Sequence, residues 1–167
     1  MKALRRLIVL AVLALVAPSL HAQSESGFQG RLGLGSSFSP QTWLLAGTLE
    51  YRPDPFFAFG PSVLWGLGSL TDYFVPTFGG RLILPKEFFN PSASVPGIDL
   101  FLQAGGGVAF RETSGFRKTD FTYQIGLGAD VFLSQHFCLG LQTNINFVGE
   151  EVEESFTSLL GTLGFRF

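Results

Sequence analysis

The stretch that decides the fold is FTSLLGTLGFRF, residues 156–167, at the end of the chain. Every second position counted back from Phe167 to Leu159 is apolar or glycine, while most of the alternate positions are small or polar. A repeat of two is the period of a β-strand, whose successive side chains point to opposite faces. The sequence therefore predicts a strand with one apolar face that finishes on an aromatic residue.

The same alternation recurs earlier in the chain and predicts seven further strands. Turn-forming runs separate them, such as Ser39-Pro40-Gln41 and Pro53-Asp54-Pro55, and residues 68–72, 112–118 and 149–155 are predicted as loops. The longest connection runs from Pro85 to Gly97. The predicted strands cover residues 28–37, 43–52, 57–67, 73–84, 98–111, 119–133 and 137–148.

The first 22 residues have the pattern of a secretory signal peptide. Lys2, Arg5 and Arg6 precede an apolar run from Leu7 to Val16, and a small residue, Ala22, follows as the expected cleavage position. The apolar run is shorter than the roughly 20 residues that a membrane-spanning helix needs. We therefore expect two segments, a signal peptide at 1–22 and one domain at 23–167.

The composition is unusual for a soluble domain. Nineteen Phe and 21 Gly accompany only 14 % charged residues, whereas soluble domains have about 25 %. After the predicted cleavage, eight basic and thirteen acidic residues remain, without a basic cluster, which gives no reason to expect nucleic-acid binding. Cys138 is the single cysteine, so no internal disulfide can form.

The terminal strand, the strand count and the signal sequence together resemble bacterial outer-membrane β-barrels. In that group, the terminal phenylalanine and the apolar positions before it are read by the barrel-assembly machinery, which implies Phe165 and Phe167 as the assembly signal. Eight strands resemble the small eight-stranded outer-membrane family, the OmpA- and OmpX-like barrels. The resemblance implies an all-β, closed antiparallel up-and-down transmembrane barrel, with both ends on the periplasmic side and outer-membrane lipid and lipopolysaccharide as its surroundings.

In such a barrel, the apolar face would meet lipid, and the inner face would carry glycine and polar residues. We expect five aromatic residues near strand ends to form the interfacial girdle: Trp43, Tyr51, Trp65, Tyr73 and Tyr123. Seven inward charges fall in the predicted periplasmic half, and we expect them to form an ion-pair network that plugs the lumen, because buried charges are costly unless paired. They are Arg31, Glu50, Arg52, Arg81, Asp99, Asp130 and Arg166.

Other polar residues offer little for catalysis or metal binding. His136 is the only histidine after the signal peptide and lies in a predicted periplasmic turn, away from any lipid-facing nucleophile at the outer side. The run Glu150, Glu151, Glu153 and Glu154 could gather divalent cations, although such runs are usually solvated loops. Cys138 faces inward as a space-filling residue. We expect no cofactor, no metal and no catalytic residue.

The sequence thus favours a monomeric outer-membrane protein with a structural, anchoring or interaction role and no chemistry of its own. One alternative is a narrow channel or conduit for small or apolar molecules, against which the inward charges argue. A lipid-modifying barrel enzyme is a weaker alternative, because the required histidine is missing. At the level of fold, the rival is a soluble lipocalin-like barrel with the Phe-rich face inside.

Overall fold

A computed structural model describes residues 27–38, 41–67, 71–84, 97–113, 116–149 and 155–167. Eight antiparallel strands close into one barrel in the order of the sequence. The predicted signal peptide, the connection at 85–96 and the acidic run at 150–154 lie outside these residues. The strands are β1 (Gly27–Phe38), β2 (Thr42–Asp54), β3 (Phe57–Leu67), β4 (Thr71–Leu84), β5 (Ile98–Thr113), β6 (Phe116–Phe132), β7 (Phe137–Val148) and β8 (Phe156–Arg166).

The closed antiparallel barrel confirms the predicted fold class. The last strand closes the wall by pairing with the first, from Gln29 opposite Arg166 to Phe38 opposite Thr157. Because every strand has two neighbours, the sheet has no free edge of the kind that must otherwise be covered. Among the described residues, no helix is long and apolar enough to cross a membrane.

Most strand boundaries agree with the sequence prediction, and the largest difference is at the β5–β6 hairpin. Residues 112–118 were predicted as a polar loop, but the two strands stay paired as far as Thr113 opposite Phe116. The prediction was wrong here because polar residues such as Glu112 and Lys118 do not prevent strand pairing: Glu112 lies opposite Asp72 on β4 and opposite Arg117 on β6.

Short polar caps shape two of the turns. The Asp54 carboxylate accepts hydrogen bonds from the backbone N–H groups of Phe56 and Phe57, at 2.7 and 2.8 Å, and so closes the β2–β3 turn. At the β6–β7 turn, the hydroxyl of Ser134 accepts a hydrogen bond from the N–H of Phe137 at 3.1 Å. Both turns lie at the rim where β1 begins and β8 ends, which is called the terminal rim below; the other end is the opposite rim.

The barrel is apolar outside and largely polar inside. Its large outward side chains, such as Leu34, Phe78 and Leu141, are 36–67 % exposed, whereas more polar than apolar side chains are buried. This arrangement is the reverse of that in a soluble protein. It agrees with the predicted facing of the strands and contradicts the lipocalin-like alternative, in which the Phe-rich face would be inside.

One predicted girdle residue faces the other way. Tyr73 is only 5 % exposed and packs inside the barrel, 6.0 Å from the ring of Phe156 and 5.6 Å from the Arg111 guanidinium. Tyr73 and Thr77 are four positions apart on β4, so the alternation of side chains along the strand directs both of them inward. Trp43 and Tyr123 do project outward and are 67 % and 50 % exposed, while Tyr51 and Trp65 are half-buried.

Candidate functional site

The seven inward charges of the sequence analysis come from six strands and collect near the terminal rim. Arg31, Glu50, Arg52, Arg81, Asp99 and Asp130 are buried, with 2–7 % exposure, and Arg166 is half-buried. Each lies on an inward position of its strand, where alternation places every second side chain in the lumen. Their positions in one narrow interior raise the question of how the charges are balanced.

Four of these residues form a closed cycle of ion pairs, here called the four-charge ring. Arg31 donates two hydrogen bonds to Asp130, at 2.6 and 2.7 Å, and its Nε lies 3.4 Å from Glu50. Arg81 lies 3.2 Å from Glu50 and 3.6 Å from Asp130. Two guanidinium groups thus alternate with two carboxylates, so the ring is formally neutral and links β1, β2, β4 and β6.

Phe101, which was not among the predicted site residues, packs against the four-charge ring. Phe101 is 3 % exposed, and its ring centre lies 3.9 Å from the guanidinium carbon of Arg81. This distance is well within the range of a cation–π contact. The aromatic ring of Phe101 occupies the space left by Gly128, where an added Cβ would overlap it. Its position between the inward Asp99 and Gln103 on β5 was the available sequence signal.

Of the other three charged residues, Arg52 and Asp99 form a second ion pair, and Arg166 lies apart. Arg52 pairs with Asp99 at 3.4 Å and also donates hydrogen bonds to the carbonyls of Asp54 and Pro55 in the β2–β3 turn. Arg166 makes no ion pair with the described residues, and its guanidinium lies 4.6 Å from the ring of Phe132. The structure therefore brings six of the seven predicted residues into two ion-paired groups and leaves Arg166 apart.

Above the charges, the middle of the lumen is lined by amides and hydroxyls. Gln103 donates to Asn144, Gln124 donates to Thr77 at 3.3 Å, and the hydroxyls of Ser62 and Thr77 are 2.6 Å apart. A cavity of about 40 Å³ lies among these side chains. A polar space of this size is sufficient for water but too small for an organic ligand.

Near the opposite rim, an apolar cluster occupies part of the lumen, beside buried polar side chains such as Asn146 and Ser158. Leu44, Leu64, Val75, Phe156 and Leu160 pack together inside the barrel and are at most 9 % exposed. The expectation that the inner face carries glycine and polar residues was wrong in this half. It did not take account of the large apolar residues that also lie at inward positions of their strands. We call this cluster the apolar layer; with the four-charge ring, it fills the lumen on both sides of the cavity.

Comparison with solved structures shows what this architecture resembles. The N-terminal β-barrel domain of Pseudomonas aeruginosa OprF matches with a TM-score of 0.62 and 11 % identity, covering 85 % of this chain and 99 % of that domain. Neisserial surface protein A matches with a TM-score of 0.57 and 14 % identity, covering 87 % of this chain and 98 % of that one. The chain has the fold of a small outer-membrane β-barrel.

A de novo designed transmembrane β-barrel also resembles this outer-membrane barrel fold, with a TM-score of 0.54, 12 % identity and coverage of 88 % of this chain and all of the design. No protein-family model matches the sequence. No curated protein matches it either. At these identities, the likeness concerns the fold alone, and the role of the barrel has to be argued from its own residues.

Two other residues considered from the sequence, Cys138 and His136, lie outside the two ion-paired groups of this outer-membrane barrel fold. Cys138 is buried, and the Gln29 amide donates a hydrogen bond to its sulfur at 3.3 Å, while Gly164 leaves room for that sulfur. His136 is exposed in the turn at the terminal rim and stacks 6.1 Å from Phe165. Within the described ranges, no three His, Cys, Asp or Glu residues are grouped as a metal site would require.

Proposed function

We propose that the protein is an exported, integral outer-membrane barrel that acts as a structural anchor or interaction scaffold, without chemistry of its own. The observation that carries this proposal is the filled lumen. The four-charge ring and Phe101 occupy it near the terminal rim, and the apolar layer occupies it near the opposite rim. Such an interior contributes to the stability of the wall and leaves no open path along the axis.

The outer surface supports insertion into lipid. Its contiguous apolar side chains are far more exposed than a soluble surface permits, and lipid is the covering that suits them. Backbone groups in the described wall are paired from strand to strand around the closed sheet, apart from short interruptions in the β2–β3 and β4–β5 ladders, as the interior of a bilayer demands. The terminal rim would then face the periplasm, and lipid and lipopolysaccharide would surround the wall.

The narrow-channel alternative would require large movements of the interior. An ion passing along the axis would have to displace the bidentate Arg31–Asp130 pair and then cross the apolar layer that includes Leu44 and Leu160. The lipid-enzyme alternative lacks its general base, because His136 lies at the terminal rim and not at the opposite one. Both alternatives are therefore less well supported than a closed scaffold.

The first experiment separates outer membranes from soluble fractions and compares boiled with unboiled samples by gel electrophoresis. We expect the protein in the outer membrane, migrating differently when unboiled, because a lipid-embedded barrel stays folded in cold detergent. Soluble protein without a shift would contradict membrane insertion. Mass spectrometry of the mature N-terminus tests export, since cleavage after Ala22 is expected.

A second experiment tests whether the lumen is closed. Purified protein is reconstituted into planar bilayers, and the wild type is compared with the Arg81→Ala/Glu50→Ala variant, which removes one charge of each sign from the ring. We expect no conductance steps from the wild type and small steps from the variant. Reproducible conductance by the wild type would overturn the closed scaffold and favour the channel. Size measurement of the same detergent-solubilised sample tests the proposed monomer.

A further inference from the structure

The seven inward charges near the terminal rim do not balance. Four of them are arginines and three are carboxylates, which leaves one positive charge over. The four-charge ring is neutral, and the Arg52–Asp99 pair is neutral as well. Among the described residues of this half of the lumen, the charge without a counterpart is therefore that of Arg166.

The guanidinium group of Arg166 also has unused hydrogen-bond donors. Its Nε and Nη2 atoms are buried, and neither has an acceptor among the described residues. These two nitrogens point parallel N–H groups from one edge of the guanidinium plane, and a fork of this kind matches the two oxygens of a carboxylate. Since a buried charged donor without an acceptor is costly, a carboxylate on this edge would stabilise the folded barrel.

Arg166 is positioned by an aromatic ring. Its guanidinium carbon lies 4.6 Å from the centre of the Phe132 ring, which is a cation–π contact. Both side chains are half-buried, and the two residues are the last ones of β8 and β6, so they reach the terminal rim. Because no ion pair with the described residues fixes the guanidinium, its side-chain bonds can rotate and turn the fork towards the rim.

A second buried donor lies beside Arg166. Gln29 is directly opposite it on β1 and is 2 % exposed, and opposite side chains of paired strands are neighbours. The Gln29 amide donates a hydrogen bond to the sulfur of Cys138 at 3.3 Å, and a thiol is a weak acceptor. A carboxylate oxygen is a stronger acceptor for the same amide. We call the place shared by Arg166, Gln29 and Phe132 the terminal mouth.

We infer that the terminal mouth binds one carboxylate group, which the Nε–Nη2 fork of Arg166 and the amide of Gln29 hold. A single carboxylate neutralises the one positive charge that is left over, and it uses both N–H groups of the fork, whereas chloride cannot bridge them in this way. Gln29 precedes Arg31 on β1, so the mouth lies between the four-charge ring and the rim. A ligand thus reaches it from water along the axis, without crossing the lipid-facing wall or opening the lumen.

Nitrogen-15 NMR of the arginine side chains, with the barrel in detergent micelles, tests the site directly. Sodium acetate is compared with sodium chloride at equal ionic strength, and loss of a signal in Arg166→Lys identifies the Nε–H of Arg166. We expect this signal to shift and saturate with acetate and to shift much less with chloride. The Nε–H of Arg31, whose guanidinium is paired with Asp130, is the internal control and should not move. Equal shifts of Arg166 with both salts would report ionic strength alone and would overturn the inference.

Urea unfolding from lipid vesicles gives a second readout that does not depend on NMR. Acetate should raise the unfolding midpoint of the wild type. Arg166→Lys keeps the charge but removes the fork, and we expect it to weaken acetate binding about tenfold, while Gln29→Met should weaken it about fivefold. Lys118→Gln removes an exposed cation at the opposite rim and is the matched control, with unchanged binding. If Arg166→Lys binds acetate as tightly as the wild type, the fork is not used and the inference fails.

A peptide probe distinguishes two sources of the carboxylate. N-acetyl-trialanine with a free C-terminus is compared with its C-terminal amide in the same NMR titration. Binding of acetate alone would assign the site to small free carboxylates, and binding of the free peptide as well would extend it to peptide ends. Equal binding of the amide would show that no carboxylate is recognised. Heat-shifted gel mobility verifies that each variant is folded, and because the site needs only the folded barrel, these results are independent of the proposed anchoring role.

Discussion

The guanidinium carbon of Arg81 lies 3.9 Å from the centre of the Phe101 ring, and both groups are 3 % exposed. Because Phe101 shields Arg81 from water on one face, the ion pairs of Arg81 with Glu50 and Asp130 operate in surroundings of low polarity. An aromatic ring inside the lumen is thus part of the charged interior, and it depends on the space beside Gly128.

We predict that Gly128→Ala destabilises the barrel. The new methyl group would overlap both the Phe101 ring, moving it from Arg81, and the backbone carbonyl oxygen of Leu141, at a cost of about 1–3 kcal/mol. Gly106→Ala is the matched control on the neighbouring strand, since its Cβ would meet nothing closer than a Phe121 carbon at 3.5 Å. Urea unfolding from lipid vesicles measures both, and equal midpoints would contradict the role of this space.

Asp130→Asn is expected to destabilise the barrel by about 3–5 kcal/mol, because it leaves the buried Arg31 without its two charged hydrogen bonds. The double variant Arg31→Gln/Asp130→Asn should lose less than the single one, since the neutral Arg81–Glu50 pair then remains. The free energy of unfolding of the four members of this cycle provides the measurement. A double variant that is less stable than Asp130→Asn would show that the ring is not governed by charge balance.

Introducing a charged side chain on the outer face tests whether that face is covered by lipid or by water. Ile125 is 56 % exposed in the middle of β6, and Ile125→Arg should cost about 2–4 kcal/mol if it faces the interior of a bilayer. Gln135→Arg, in the exposed turn at the terminal rim, should be neutral. The folded fraction after insertion into vesicles distinguishes the two. Tolerance of Ile125→Arg would mean that this face is in water.

The terminal aromatics are predicted to act mainly during assembly. Phe167→Ala removes the implied signal but, among the described residues, a single ring contact, with Phe165 at 5.4 Å, so the finished barrel should lose about 1 kcal/mol. In cells, we expect a much larger fall in folded outer-membrane protein. Phe137→Ala is the control, because it removes another ring contact of Phe165, at 4.8 Å, and keeps the terminus. Equal losses in cells for both variants would argue against a signal at Phe167.

The alternation of side chains was enough to predict the strands and their facing, because a period of two assigns each residue such as Arg31 or Leu163 to one side. The same rule places Tyr73 and Phe101 inside; Tyr73 was assigned to the girdle for its aromatic character, and Phe101 was not assigned to a face. Which charges meet could not be predicted, since Arg31 and Asp130 lie on strands that are not neighbours. The interruptions of the β2–β3 ladder at Pro61 and of the β4–β5 ladder at Pro76 depend on the register of adjacent strands, which a single sequence does not specify.

The Arg31–Asp130 pair joins residues that are 99 positions apart in the chain. It therefore cannot form while the sheet is a growing ribbon, and it becomes available only when β1 and β8 meet. Until then, Arg31 can pair with Glu50 on the neighbouring strand but not with Asp130, so part of its charge stays unbalanced at a membrane, where that is expensive. The last seam therefore adds the bidentate pair that completes the four-charge ring, so the interior favours the closed barrel over a nearly complete sheet.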